Sequence, residues 1–499
     1  MEYERMAAYH TTQTMLAESF RSLLFNNFFL LFAVVLSLEA CTVGPDYKAP
    51  HSDLVQFHNS ISVERRAGEP LPSLDHWWEE FHDLELVRIE QRVLMQNLDL
   101  KAAIGRIQQA HGAAEAAAAQ MLPTLDFAPQ VSAYRLSNEG LIGRMARNFP
   151  GYNRDQRAYD VHGAASWEID LFGGLRRGHE AARDEAEAAI AQSAGVRVSV
   201  AGDAADAYFQ IRGYQARLLV ANERVATDSH LLDLVQQRRI RGVSSQREVD
   251  QAIALLQSAR ETIPVLRAAL EVQLNRLDVL MGVQPGTYAH ELALPSSVAI
   301  IPSIGNVTPA DVLRRRPDVI AAERRLAASN ARIGAALADY YPKLSLSGAL
   351  GFQSLSVNKM FTPAGFQPAS SGILRWRIFD FGKIDAEVHQ AKGAYAEQLA
   401  QYRSTVLHAA EDVENAFMSL AQSEKRAEDL RTEVASLAEA RDLSSQSYKA
   451  GIISLTDVLA ADRQLLEAKD RQAENQSETA RAAVRSFRAI GGGWEGSTN

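Results

Sequence analysis

The chain has 499 residues, a formal net charge of −9 and 46% hydrophobic residues. That charge leaves no basic footprint for nucleic acid, and a single cysteine, Cys41, excludes an intramolecular disulfide. There is no HExxH, phosphate-binding glycine loop or GxSxG stretch, and the 12 histidines are scattered, so no enzyme activity, cofactor or metal site is expected.

Residues 1–40 read as a lipoprotein signal peptide. The apolar run from Phe28 to Leu36, with Arg21 upstream, is too short for a transmembrane helix and suits a signal h-region. It ends in Leu38-Glu39-Ala40-Cys41, a small residue before a lone cysteine. This resembles a bacterial lipobox, although Glu39 departs from the small or apolar residue usual there. The resemblance implies acylation of Cys41, an anchor far stronger than one acyl chain. Thr42 rather than Asp follows, which in lipoproteins favours the outer membrane.

Residues 41–75 hold Gly44, Pro45, Pro50, Pro70 and Pro72 with little periodicity, an extended linker wrapping a surface. Trp77-Trp78 opens the first helical stretch, and 83–121 reads as one Ala-rich helix broken at Pro123. Beyond Pro123 the pattern alternates. Leu125, Phe127, Val131, Tyr159, Val161, Trp167 and Ile169 oppose Asp126, Gln130, Ser132, Asp160, His162, Ser166 and Glu168. Such alternation indicates strands with one apolar and one polar face. Gly174 to Arg241 is free of proline and predicts a helix of about 100 Å, as in an extended coiled coil or helical barrel. Gly242 ends it, and a return helix follows that Pro264 interrupts, as a kink.

The whole unit then recurs. Trp167–Gly173, WEIDLFG, returns 209 positions later as Trp376–Gly382, WRIFDFG, and the same step carries Asp203 onto Asp412 and Gly242 onto Gly451. Before the strands the step is 219, which carries Asp99, Arg106 and Pro123 onto Asp318, Arg325 and Pro342. The first copy therefore has about ten extra residues within 136–157. In the second copy Leu344, Leu346, Leu350, Phe352, Leu374, Trp376 and Ile378 oppose Lys343, Ser345, Ser347, Gln353, Arg375 and Arg377. Self-similarity at a fixed step argues for one body made by duplication. Residues 76–285 form the first repeat, 286–305 a connector, 306–490 the second repeat and 491–499 a flexible tail. The Trp…Phe-Gly stretches mark the corners where a strand turns into a long helix: Trp167 and Gly173, Trp376 and Gly382.

Ten-residue strands, apolar outside and polar within, suit a transmembrane β-barrel. Four strands cannot close one, and lipid does not tolerate open edges, so other copies of the chain must complete it. The mixed charges of the polar face imply weak ion selectivity in the lumen.

These features carry a resemblance. Gly44-Pro45-Asp46-Tyr47, Trp77-Trp78, Thr262-Ile263-Pro264-Val265-Leu266, Arg316-Pro317-Asp318-Val319 and Tyr448-Lys449-Ala450-Gly451 followed by Asp457-Val458-Leu459 are similar, in this order, to the outer membrane factors of the TolC-like superfamily. The branch is the NodT-type lipoproteins that serve resistance-nodulation-division efflux pumps. The resemblance spans nearly the whole mature chain. It implies an α+β membrane protein: a homotrimer with a twelve-stranded outer membrane barrel, four strands per chain, continuous with a long periplasmic α-helical barrel. It also implies two partners at the helical tips, a periplasmic adaptor and an inner membrane transporter. Function would be passive conduction, gated by shape and charge.

The gate is expected at the hairpin tips, with Gly242 and Gly451 as hinges. Ile452, Leu455, Leu459 and Leu466 form a stripe on the last helix that also holds Asp462. A carboxylate there suits a ring at the aperture, or a solvated charge or ion pair. Relatives carry a tyrosine before the hinge glycine and an Asp three residues before an Arg. These positions fall on Tyr448, Ala460 and Arg463; the Asp is replaced here, with Asp457 and Asp462 nearby. Arg463 is expected to bond an acid of the neighbouring hairpin, Glu248 or Asp250. Two alternatives stay open: the exit duct of a type I protein secretion system, and a non-conducting coiled-coil lipoprotein.

Overall fold

Pro123 and Pro342 each close a helix and precede a strand, since proline cannot supply the helical N–H. This punctuation organises the computed structural model, which describes residues 42–50, 56–59, 73–292, 300–302 and 308–495. The signal segment and Cys41 lie outside the described residues. A 3₁₀ turn at Trp77–Phe81 leads into α1 (Leu84–Gln96), α2 (Leu98–Ala119), β1 (Thr124–Arg135), α3 (Leu141–Ala146) and β2 (Asp155–Ile169). The long α4 (Gly174–Ile240) and its return α5 (Gln246–Leu280) complete the first repeat. The second repeat is α6 (Pro309–Arg315), α7 (Pro317–Ala338), β3 (Lys343–Ser354), β4 (Ala369–Arg375), α8 (Lys383–Lys449) and α9 (Leu455–Ala489). The duplication is metrical: α4 and α8 have 67 residues each, α5 and α9 35 each.

The chain divides into two units. One comprises Met1–Ala49, Ala110–Ala186 and Arg325–Gln398; the other comprises Pro50–Gln109, Glu187–Arg324 and Leu399–Asn499. The first holds the sheet, an antiparallel meander in the order β1-β2-β3-β4. Its register sorts the side chains as the alternation requires. Phe127 pairs Gly163, which pairs Leu350; Val161 pairs Phe352; Trp167 pairs Leu346; and Leu344 pairs Leu374. The opposite face pairs Gln130 with Asp160 and Asp160 with Gln353, Glu168 with Ser345, and Lys343 with Arg375. On that polar face Gln353 Nε2 donates to Asp160 at 3.1 Å, and the Ser347 and Ser371 hydroxyls meet at 2.7 Å. Little covers either face: β1 and β4, the two edge strands, are exposed almost throughout.

The linker lies against this unit. Val43 N–H donates to Phe172 O at 3.1 Å, Arg177 Nη2 donates to Asp46 at 2.8 Å, and Asn330 Nδ2 donates to Pro45 O at 2.8 Å. Gly44 meets Gly334 so closely that a Cβ would lie 2.4 Å from its Cα. The Gly44-Pro45-Asp46 motif is thus a docking segment.

The second unit is helical. Its core packs Trp77 flat on Phe487, centroids 5.4 Å apart, with Phe81 tilted against Phe209 at 4.9 Å. Trp77, Trp78, Phe81, Tyr208 and Phe487 are fully buried, a large apolar contribution. Tyr208 OH donates to Asp83 at 2.5 Å, and Asp83 also caps α1 by accepting from Glu85 N–H at 2.9 Å.

Four expectations need correction. The helix expected over 83–121 breaks at Asn97, which turns extended and accepts from Asp99 N–H at 2.9 Å as the cap of α2. The second strand pair ends at Arg375, so Trp376 and Ile378 continue the alternation without ladder bonds. Pro264 does not interrupt α5, which runs through it. The tail expected to be flexible is ordered at its start: Gly491 to Gly493 are buried, Gly493 N–H donates to Leu74 O at 2.7 Å, and Arg315 donates to Trp494 O at 3.0 Å.

Candidate functional site at the corners and hairpin tips

Each corner is built the same way. The Trp167 indole donates to Met121 O at 2.9 Å, and the Trp376 indole donates to Tyr340 O at 2.9 Å. Both acceptors lie two residues before the helix-ending proline, so each tryptophan clips its strand exit onto the end of the preceding helix. An acid then caps the long helix. Asp170 accepts from Arg176 N–H at 2.8 Å, and Asp380 from Ile384 N–H at 3.0 Å. Anions belong at a helix N-terminus. Gly173 and Gly382 share φ 81°. Their surroundings differ. Thr42 lies against Gly173, and Phe172 stacks on Tyr341 at 4.6 Å, whereas Phe381 is 92% exposed and a Cβ on Gly382 would meet no neighbour within 4 Å.

At the hairpin tips Gly242 and Gly451 take φ 75° and 74°, the left-handed conformation that ends a helix at little cost only for glycine. The return helices start with capping boxes: the Ser245 and Ser454 side chains bond the N3 backbone, and Glu248 and Asp457 bond back. Glu248 and Asp457 are therefore repeat-related caps at their helix starts, Glu248 half-buried and Asp457 exposed. The Ser-x-x-acid spacing was the signal for them. Arg238 donates to the Tyr448 hydroxyl and stands over its ring at 5.6 Å, tying the end of α4 to the end of α8. Nothing in local periodicity pointed to Arg238.

The remaining tip candidates have partners other than those expected. Arg463 approaches Glu467 at 3.8 Å on its own helix, and Asp250 accepts from Gln246 at 3.0 Å. Arg463 and Glu248 line one groove with Leu255 and Leu459, but among the described residues no ion pair joins them. Ile452 lies in the turn, off the helical stripe, while Leu455 and Leu459 pack against Leu231, Val235, Val249 and Ala252. Asp462 is an inter-helix ion pair in this chain: Arg441 Nε of α8 lies 3.4 Å away. Burial pushes the Asp462 carboxyl above the aspartate range, helped by Asp442 and Glu223 and opposed by Arg441 and Lys469. Burial likewise raises Asp228 on α4, where the Asp462 charge adds and Arg224 opposes. One Asp228 carboxylate oxygen is buried without a hydrogen-bond partner. The tip hairpins thus hold a buried Asp228 and a half-buried Asp462 on facing helices.

The outer membrane efflux protein profile matches residues 90–283 and 308–492. The chain belongs to the outer membrane efflux protein family. Nodulation protein T of Rhizobium leguminosarum bv. trifolii is 30% identical over 92% of this chain and 96% of its own. The pyoverdine export outer membrane protein OpmQ of Pseudomonas putida is 30% identical over 93% and 97%. Among solved structures the outer-membrane channel OprN superposes with TM-score 0.83 at 30% identity, covering 91% of this chain and all of that one.

As an outer membrane efflux protein, the chain also explains its Arg316-Pro317-Asp318-Val319 signature. Pro317 starts α7. Arg316 before it is nearly buried and donates to both Asp318 oxygens at 3.0 and 2.7 Å, to Asp412 at 2.9 Å and to Ala489 O at 3.0 Å. Its repeat counterpart, Asn97, donates to Leu280 O at 2.9 Å. Leu280 and Ala489 are repeat mates at the ends of α5 and α9. Each repeat is therefore closed by one side chain just before α2 or α7, holding the last carbonyl of its return helix.

Proposed function

We propose that this efflux protein is the exit duct of a tripartite pump. Three copies close a twelve-stranded barrel in the outer membrane, and their long helices form a periplasmic tube. One observation carries the reading: a four-stranded sheet with one apolar face, one polar face, two open edges and, among the described residues, no covering layer. Such a sheet is unstable in water and in lipid unless closed. β1 and β3 have 12 residues each, about 40 Å extended, which a tilt near 45° brings to about the hydrocarbon thickness. Twelve strands is an even number in the observed range. The adaptor and transporter dock at the tips, and cargo is chosen by them. Cys41 carries the lipid anchor.

The closed state is held at the tips. The Arg238–Tyr448 clamp and the Asp462–Arg441 pair hold each hairpin within its chain, leaving Arg463 and Asp457 to meet the neighbouring chain. The test is crosslinking of the purified protein beside conductance in planar bilayers. A trimer with small conductance that rises in Tyr448→Phe and Arg463→Ala is expected. A monomer, or silence in wild type and both variants, sinks the duct and favours a non-conducting scaffold.

A further inference from the structure

The connection between β1 and β2 differs from its repeat mate in charge and shape. It carries α3, whose buried Gly143 seats it on the turn at Ser137: a Cβ there would lie 2.0 Å from Ser137 O. Seated so, α3 turns Leu141, Ile142 and Met145 outward, 80%, 63% and 69% exposed. Arginines surround them. Residues 135–157 contain Arg135, Arg144, Arg147, Arg154 and Arg157 against Glu139 and Asp155, a cationic excess in a chain of net charge −9. Arg135 is bonded to Asp155, and Arg147 lies 3.9 Å from Glu139. Arg144 and Arg157 have no acidic partner among the described residues.

The register places these groups. Arg157 pairs Ala133, and Arg135 pairs Asp155, on the same face as Phe127, Val131 and Tyr159. That is the apolar face, at the end farthest from the strand–helix corners. Exposed apolar groups in the connection that leaves this end of the face, with the unpaired guanidinium groups of Arg144 and Arg157 beside them in sequence, suit an interfacial element. The connection between β3 and β4 is also apolar at Phe361 and Phe366 but carries only one cation, Lys359. The charge is therefore a property of the first connection and not of the rim in general.

We propose that the Leu136–Arg154 connection, with Arg157 below it, binds the phosphorylated glycolipid of the outer leaflet. Arg144 and Arg157 take its phosphates, while Leu141 and Met145 enter its acyl chains. Arginine suits phosphate because its fork donates in parallel pairs. The proposal rests on the barrel reading, which turns this face to lipid.

The test uses the full-length protein in phosphatidylcholine nanodiscs, titrated with lipid A bearing two phosphates and read by native mass spectrometry. Saturable binding is expected. Arg144→Ala/Arg157→Ala should weaken it roughly fivefold per arginine, roughly twenty-five-fold together. Arg144→Lys/Arg157→Lys, which keeps both charges but loses the paired donors, should bind between wild type and the double alanine variant. Leu141→Ser/Met145→Ser should weaken it roughly tenfold. Wild-type affinity in the double alanine variant, or equal affinity for dephosphorylated lipid A, overturns the proposal and leaves the barrel standing. So does inorganic phosphate that competes fully while the serine variant binds normally, since that marks a phosphate site and not a lipid site. Failure of the wild-type protein to enter nanodiscs removes the barrel reading itself.

Discussion

Arg316 shows how much one side chain can hold. Its guanidinium is mostly buried and satisfied by two aspartates and a carbonyl. Arg316→Ala leaves the half-exposed Asp318 and Asp412 without their partner and frees the end of α9, and should cost about 1–3 kcal/mol. Thermal unfolding followed by helix signal checks it; a shift no larger than that of a surface arginine would refute the assignment. The acid pair behaves oppositely. A carboxyl raised on folding opposes folding once ionised. For Asp228 and Asp462 that opposition is absent below the ordinary value of 3.8 and complete above the raised folded value. Falling pH through that window should therefore tighten the contact of α4 with α9. Asp228→Asn should raise the melting temperature by about 1–2 °C near neutral pH and flatten its pH slope. An unchanged slope would show that folding does not shift the Asp228 carboxyl. Asp462 stood out on its apolar stripe in the sequence, but its neighbours Asp228 and Arg441 did not. Arg441 and Asp462 stand on two antiparallel helices, and no periodicity within one helix reveals a partner on another.

At the scale of elements, the repeat steps of 209 and 219 foretold matching helix lengths because insertions in a duplicated chain fall in loops. Helix ends were legible where glycine or proline enforces them and obscure where a cap does. Asn97 breaks α1 from α2 inside an Ala-rich run, and only its bond to Leu280 O explains why. The end of β4 was hidden for another reason: Trp376 and Ile378 keep the alternation of a strand after the ladder has stopped. Gly242→Ala and Gly451→Ala meet no neighbour within 4 Å, so each should cost only the left-handed backbone strain, about 1 kcal/mol. Urea unfolding of single and double variants should show the two costs adding. Trp376→Phe keeps the ring and loses the bond to Tyr340 O, and should lower stability by about 1 kcal/mol. A larger loss would mean the indole also packs against a second chain.

For the whole molecule, a duplicated chain need not be symmetric in use. Its first corner is sealed by the linker at Thr42 and Val43, and by Phe172 on Tyr341. Its second leaves Phe379 and Phe381 in the open. If a neighbouring copy or lipid covers the second corner, a crosslinker on Phe381→Cys should capture one of them, and only in the assembled state. The bare corner also bears on how the protein is made. A newly exported single copy carries an apolar sheet face, two sticky edges and two naked phenylalanines through an aqueous compartment before anything can cover them. Such a copy survives only if it is escorted or assembles quickly. Cells that outrun their insertion capacity should therefore accumulate insoluble chain, and the yield of duct should be limited by its delivery and not by its synthesis.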